Sequence, residues 1–291
     1  PPPPGLNYVA VIEPELSLLL LDIVLSSILV PILVIMLYLS TPATRWKPVF
    51  VMNVISIILA LAYAAVTVYQ QSRAILAKTV NPNADTASAC MLILAPFFAE
   101  LILVIRVVAV YPPFFMSWFR RILVYAPIAL LKTARIVNIV AFLVQWVRLN
   151  KHTYNPLQTG QDAWNLPNVK IEWILQFLDM SFVSVLFLAR LHQSTRLKRN
   201  AGLSDSCLGT PSGNLREYFS HTAGMSFSSR IRTLFWIAAT NLVIPVLLIF
   251  VQLVYIFRDN SFLHGTYVFI ANIHVQIIGV LLATIWSTGS Q

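Results

Sequence analysis

Charge is scarce in this chain. Only 11% of its 291 residues are Asp, Glu, Lys or Arg, whereas a soluble domain carries about 25%. Cysteine is scarcer still: Cys90 and Cys207 are the two present. They fall in segments expected on opposite sides of a membrane, which excludes a disulfide framework within the chain and a Cys-based metal site. No Asn-x-Ser/Thr sequon occurs, so N-glycosylation is not predicted. Neither HExxH nor GxSxG is present. Of the five histidines, His152, His192 and His221 fall in polar loops. His264 and His274 are ten residues apart on one expected helix, a separation of about 15 Å. The reading is therefore no enzyme, no metal and no cofactor. The last apolar run, 262–286, has no lysine, so a Schiff-base retinal pump is excluded.

Long apolar runs dominate instead. The chain is 58% hydrophobic with a mean hydropathy of +0.75. Seven runs stand out, at 16–39, 48–69, 89–111, 122–147, 171–191, 231–257 and 262–286. About 20 apolar residues at 1.5 Å per residue cross about 30 Å of hydrocarbon. Backbone groups in lipid must bond internally, so each run is expected to be a helix. The predicted fold is an all-α membrane protein, a seven-transmembrane helix bundle in one domain spanning 1–291. The first run is too long for a cleavable signal peptide. The chain opens on Pro1 rather than Met, and trimmed ends are expected.

The formal net charge of +9 is distributed by side and does not point to nucleic acid. Arg45, Lys47, Arg120, Arg121, Arg190, Arg196, Lys198, Arg199, Arg216, Arg230 and Arg232 lie in one set of alternate loops. Arg73, Lys78, Arg148, Lys151, Lys170 and Arg258 lie in the other. The positive-inside rule then places the N-terminus outside and the C-terminus in the cytosol. The basic face also attracts anionic lipid headgroups. Loop 192–230, rich in Ser, Gly and Arg, is expected to be a flexible cytoplasmic segment. Loop 148–170, polar and carrying Trp164, is expected outside.

Ionisable groups in hydrocarbon are costly and face the bundle interior. Here they are Asp22, Glu100, Arg106, Lys132, Arg135, Asp179 and His274, with the neutral Asn53 and Asn241 at similar depth. Lys132 and Arg135 are three apart, on one helix face. Glu100 and Arg106 are six apart, about 600° of helix rotation, and point different ways. A network joining Asp22, Glu100 and Asp179 to Arg106, Lys132 and Arg135 is expected. Pro31, Pro96, Pro127 and Pro245 fall within runs, where proline bends a helix. Pro245 is the candidate hinge. Two function classes stay open on these residues: a receptor, and a transporter or channel with a charged interior.

Several motifs carry a resemblance. Arg45-Trp46-Lys47-Pro48-Val49-Phe50 leads to Asn53 and Ser56, three apart, and Glu100 sits in the third run. Met180-Ser181-Phe182-Val183 follows in the fifth run, then Asn241-Leu242-Val243-Ile244-Pro245 in the sixth and Ile285-Trp286-Ser287-Thr288 in the seventh. This ordered set resembles the fungal alpha-factor-type pheromone receptors, the class D G-protein-coupled receptors. The chain departs from that pattern at Val280-Leu281-Leu282-Ala283, where the family has a proline, and in lacking glycine over 16–39.

The resemblance implies a plasma-membrane receptor that takes an extracellular peptide or small ligand, activates a heterotrimeric G protein and forms a homodimer. On that expectation the ligand rim is Tyr255, Arg258, Asp259 and His264, with Trp164 and Glu172 opposite. The coupling face is Arg45, Lys47, Arg120, Arg121, Arg190, Arg196, Lys198, Arg199, Arg230 and Arg232.

Overall fold

The computed structural model describes residues 8–76, 78, 81–150, 156–205, 243–258 and 261–289. All regular structure among them is helical. The elements are α1 (Tyr8–Leu39), the short α2 (Pro42–Arg45), α3 (Pro48–Ile75), α4 (Pro82–Val110), α5 (Trp118–Asn150), α6 (Pro156–Trp164), α7 (Pro167–Asp205), α8 (Val243–Arg258) and α9 (Phe262–Gly289). A single 3-10 turn, Pro113–Phe115, joins α4 to α5. Among the described residues, six helices (α1, α3, α4, α5, α7 and α9) are long and apolar enough to cross a membrane, and α8 is a shorter apolar helix. The chain is thus an all-α membrane protein.

Burial separates the helices into inner and outer. Only 17% of the most apolar stretch of α1 is buried, against 61% in α9. Leu20, Val24, Val34 and Ile35 of α1 face outward. That surface suits lipid, which replaces water as the solvent of apolar side chains. Around α9, Ile270, Asn272, Ile273, His274, Gln276, Ile277, Val280 and Leu281 are all buried. Helix α9 is thus the most buried of the candidate spans, with Ala271, Val275, Ile278 and Leu282 along its more open face. In α3 the buried residues Phe50, Asn53, Ile57, Ala60, Ala64, Thr67 and Gln71 recur every three or four positions, the single inward stripe of a helix with one face to lipid.

The helix ends show why the connections are short. Asn81 caps α4: its side-chain oxygen accepts from the Asn83 N–H at 3.0 Å, and Pro82 occupies the first turn. That position needs no N–H donor. The α3 and α4 helices therefore run past the apolar limits at 69 and 89. The stretch 148–170, expected as an open polar loop, contains α6, bracketed by Pro156 and Pro167. Helix α7 continues through Asp205, beyond the limit expected at residue 191. From Leu191 to Ala201 it meets neither Pro nor Gly, and Leu, Gln, Arg and Lys favour helix. The first part of the expected flexible loop 192–230 is thus helical; residues 206–230 lie outside the described residues. Helices α1, α4 and α5 pass through Pro31, Pro96 and Pro127 without interruption.

Candidate functional site

Two neighbouring features lie between the helices, a network of charged side chains and a largely apolar cavity with polar groups on its wall. The first is an ion network on α4, α5 and α7. Lys132 Nζ lies 3.0 Å from Glu100 Oε2 and 2.6 Å from Asp179 Oδ2. Arg135 pairs with the same Glu100 oxygen, with Glu172 Oε1 at 2.8 Å and with Asp179 Oδ2 at 3.3 Å. Gln176 Nε2 donates to the other Glu100 oxygen at 2.9 Å. Asn138 Nδ2 donates to Glu172 Oε2 at 3.0 Å and to the Asn168 carbonyl at 2.9 Å. The Phe97 ring lies 5.3 Å from Lys132 Nζ and 6.0 Å from the Arg135 guanidinium carbon, covering both cations. Glu100, Arg135 and Asp179 are buried almost completely. Removing charges from water is costly, and this geometry offsets the cost by giving each cation more than one carboxylate. Three carboxylates (Glu100, Glu172 and Asp179) face two cations.

Spacing explains the assembly. Lys132 and Arg135 share a face of α5, and Glu172, Gln176 and Asp179 recur four and three apart on α7. The network differs from the expected one in membership. Asp22 and Arg106 are not in it, whereas Glu172 and Gln176 are. Arg106 instead donates to the Val280 carbonyl of α9 at 2.8 Å. It points away from Glu100, as the six-residue spacing required. Asp22 is fully buried between α1 and α3. Gln71 is within electrostatic reach, but neither Asp22 oxygen makes a hydrogen bond of normal geometry. His274 places Nδ1 2.8 Å from the Ile270 carbonyl of its own helix. Asn53 is buried on α3, and Pro245 is buried near the start of α8. Asn241 lies outside the described residues.

The second feature is a cavity of about 200 Å³. Its wall takes Glu15 from α1, Tyr63, Gln70 and Gln71 from α3, Asp85 and Ser88 from α4, and Arg135, Asn138, Phe142 and Trp146 from α5. Trp164 comes from α6, Glu172, Trp173 and Gln176 from α7, and Phe262, Thr266 and Phe269 from α9. Arg135, Glu172 and Gln176 belong to both features, so the cavity rests directly on the ion network.

Helix α6 closes one side. Trp164 is buried, with its ring 6.0 Å from Phe262 in an edge-on arrangement. Trp173 meets Phe269 edge-on at 4.5 Å. Two glycines permit the contact between α6 and α9: a Cβ at Gly265 would overlap the Trp164 ring, and one at Gly160 would overlap Phe262. Gln161 Oε1 accepts from the Phe262 N–H at 3.0 Å, satisfying a donor in the first turn of α9.

Of the expected ligand rim, only Trp164 and Glu172 line this cavity. Tyr255, Arg258 and His264 are exposed and away from it, and Asp259 lies outside the described residues. The physical reason is α6, which places Trp164 inside the bundle rather than on an open loop. The residues that carry the cavity's polarity (Gln70, Gln71 and Asp85) lie at helix ends the apolar runs did not include.

Of the expected coupling residues, Arg45, Lys47, Arg120, Arg121 and Arg190 lie at the opposite end of the helices. Arg45 donates to Ser40 Oγ at 2.9 Å and to the Leu37 carbonyl at 3.2 Å. Lys47 and Arg120 are exposed. Arg121 donates to the Pro113 carbonyl at 2.6 Å. Arg190 lies 5.5 Å above the Tyr111 ring. Tyr111 also donates to the Leu186 carbonyl at 3.2 Å and accepts at its own carbonyl from the Tyr125 hydroxyl, so it ties together the ends of α4, α5 and α7. Arg196, Lys198 and Arg199 fall on the last part of α7, where side chains are not described. Arg230 and Arg232 lie outside the described residues.

Comparison of the chain with known protein families, with curated proteins and with solved structures returns no match.

Proposed function

We propose that the chain is a plasma-membrane receptor of the G-protein-coupled kind, with seven membrane-crossing helices, its N-terminus outside and its C-terminus in the cytosol. In this reading α8 is the C-terminal part of the sixth crossing. The observation that carries the reading is the placement of the cavity at one end of the bundle and of Arg45, Lys47, Arg120, Arg121 and Arg190 at the other. With the basic end in the cytosol, the cavity faces the outside. An extracellular ligand held there touches Arg135 and Glu172, and through them the network that joins α4, α5 and α7. Those three helices meet again at Tyr111 on the basic end. A ligand that binds one arrangement of them more tightly shifts the population toward it. A heterotrimeric G protein then reads the change at the basic face. The motif resemblance to class D receptors supports the same reading and extends it to a fungal source and a homodimer.

The test is a yeast reporter strain lacking its own pheromone receptor, carrying the full-length gene and challenged with fungal peptides and extracts. A ligand-dependent response is expected. The second reading is a transporter or channel, favoured by the uneven charge of the ion network beside a cavity. A surface-expressed protein that stays silent, together with substrate flux in liposomes lacking any G protein, would establish that alternative.

A further inference from the structure

The cavity wall is chemically one-sided. Its α1–α3–α4 side carries Glu15 and Asp85, with Asp22 directly behind it; Tyr63 stands in the field of both aspartates. Among the described residues none of these three carboxylates forms an ion pair. Among the described residues Arg135 is the one cation on the wall, and Glu100, Glu172 and Asp179 already occupy it.

A cluster of acids alone does not make a site, but here unpartnered polar atoms accompany it. Gln70 is 6% exposed, Gln71 7% and Asp85 7%. Gln70 Nε2, Gln71 Oε1 and Asp85 Oδ2 have no hydrogen-bond partner. Buried polar atoms of native proteins are nearly always satisfied, so three orphans on one cavity wall mark where a ligand's polar group belongs. The remaining wall is apolar, part aliphatic and part aromatic, with Phe142, Trp146, Trp164 and Trp173 among the rings. Aromatic faces attract cations.

We infer that this cavity binds a small organic cation, an amine whose ammonium sits by Asp85 and Gln71 and whose apolar body lies against the tryptophans. The inference rests on reading the cavity as the ligand site and adds the ligand's charge class. An ammonium supplies what the wall lacks: a positive charge for the unpaired acids and N–H donors for Gln71 Oε1 and Asp85 Oδ2. A neutral ligand of the same shape leaves Asp85 buried without a counter-ion, and an anion is repelled.

The test uses the full chain in phosphatidylcholine nanodiscs, a zwitterionic lipid that does not concentrate amines. Equilibrium binding of radiolabelled 2-phenylethylamine is compared with that of 2-phenylethanol, nearly the same in shape but neutral. The amine is expected to bind saturably and about tenfold more tightly than the alcohol, a modest yield for one buried charge contact. Asp85→Asn should close the gap between amine and alcohol; Glu15→Gln should weaken the amine in the same direction. Thermal unfolding without probe verifies that each variant is folded, and the wild-type comparison stands without them. Equal affinity for both probes overturns the cation preference while leaving a ligand cavity in place. Absence of saturable amine binding also overturns it, and the reporter response then decides the receptor reading separately.

Discussion

At the scale of single residues, Arg135 carries the most consequence. Its guanidinium touches three carboxylates on two other helices. A planar group with several fixed donors can do this, and a lysine ammonium cannot match its geometry. Replacing Arg135 with Met leaves Glu100, Glu172 and Asp179 with Lys132 alone, burying uncompensated negative charge. The expected loss is about 3–5 kcal/mol of stability, read as a lowered unfolding midpoint in detergent and reduced surface expression. Arg135→Lys should fall between wild type and the Met variant. A Met variant as stable as wild type would mean that the network contributes nothing to holding α4, α5 and α7 together. Part of this network is legible in the sequence: the three-residue spacing of Lys132 and Arg135 fixes their shared face, and their depth demands partners. The partners are legible in part. Glu172, Gln176 and Asp179 share one face of α7, yet Glu172 sits at the edge of an apolar run, where an acid reads equally well as a water-facing end. Asp22 shows the limit. Its burial follows from its position in an apolar run, but nothing in the sequence separates an acid paired with Arg106 from one facing Gln71.

At the scale of elements, α6 decides what the cavity is. The segment 148–170 looks like an open loop by polarity. Pro156 and Pro167 mark the bounds of a nine-residue helix, but helices this short draw their stability from packing rather than propensity, so sequence periodicity does not reveal it. Its packing depends on glycine at Gly160 and Gly265. Gly265→Ala places a methyl group where the Trp164 ring lies and should force α6 away from α9. The expected result is a ligand off-rate faster by about tenfold, or about 1.4 kcal/mol, with the helix content by circular dichroism unchanged. Dissociation kinetics identical to wild type would show that α6 plays no part in retaining ligand. The long helices themselves were readable, because apolar length is imposed by the bilayer. Their ends were not. Polar turns that continue a helix into water, as in Gln70–Ile75 of α3 and the run through Asp205 of α7, carry no hydropathy signal.

At the scale of the whole molecule, the cavity lies at one end of the bundle and the basic residues at the other, with the ion network and Tyr111 between them. In the proposed receptor, exposed cations at the basic end act on a partner rather than on the fold. Lys47→Ala combined with Arg120→Ala should leave ligand affinity and surface level unchanged and reduce G-protein activation about tenfold or more, since both side chains are exposed and charges at such a face govern encounter and specificity. Wild-type activation by this double variant would remove these two residues from the coupling face. Alternating charge between loops is a whole-chain property, visible in the sequence without any motif, and for that reason the proposed orientation was available before the structure. The cavity was not, because it is a joint product of seven elements, none of which announces it alone.

The most direct measurement is guanine-nucleotide exchange on a purified heterotrimeric G protein by the full chain in nanodiscs, with and without fungal extract. Ligand-stimulated exchange in the wild type, lost on Trp164→Arg, which replaces an aromatic ring of the cavity wall with a cation, is the predicted result. No exchange under any extract, together with solute flux when the same protein is placed in liposomes, would contradict the receptor account.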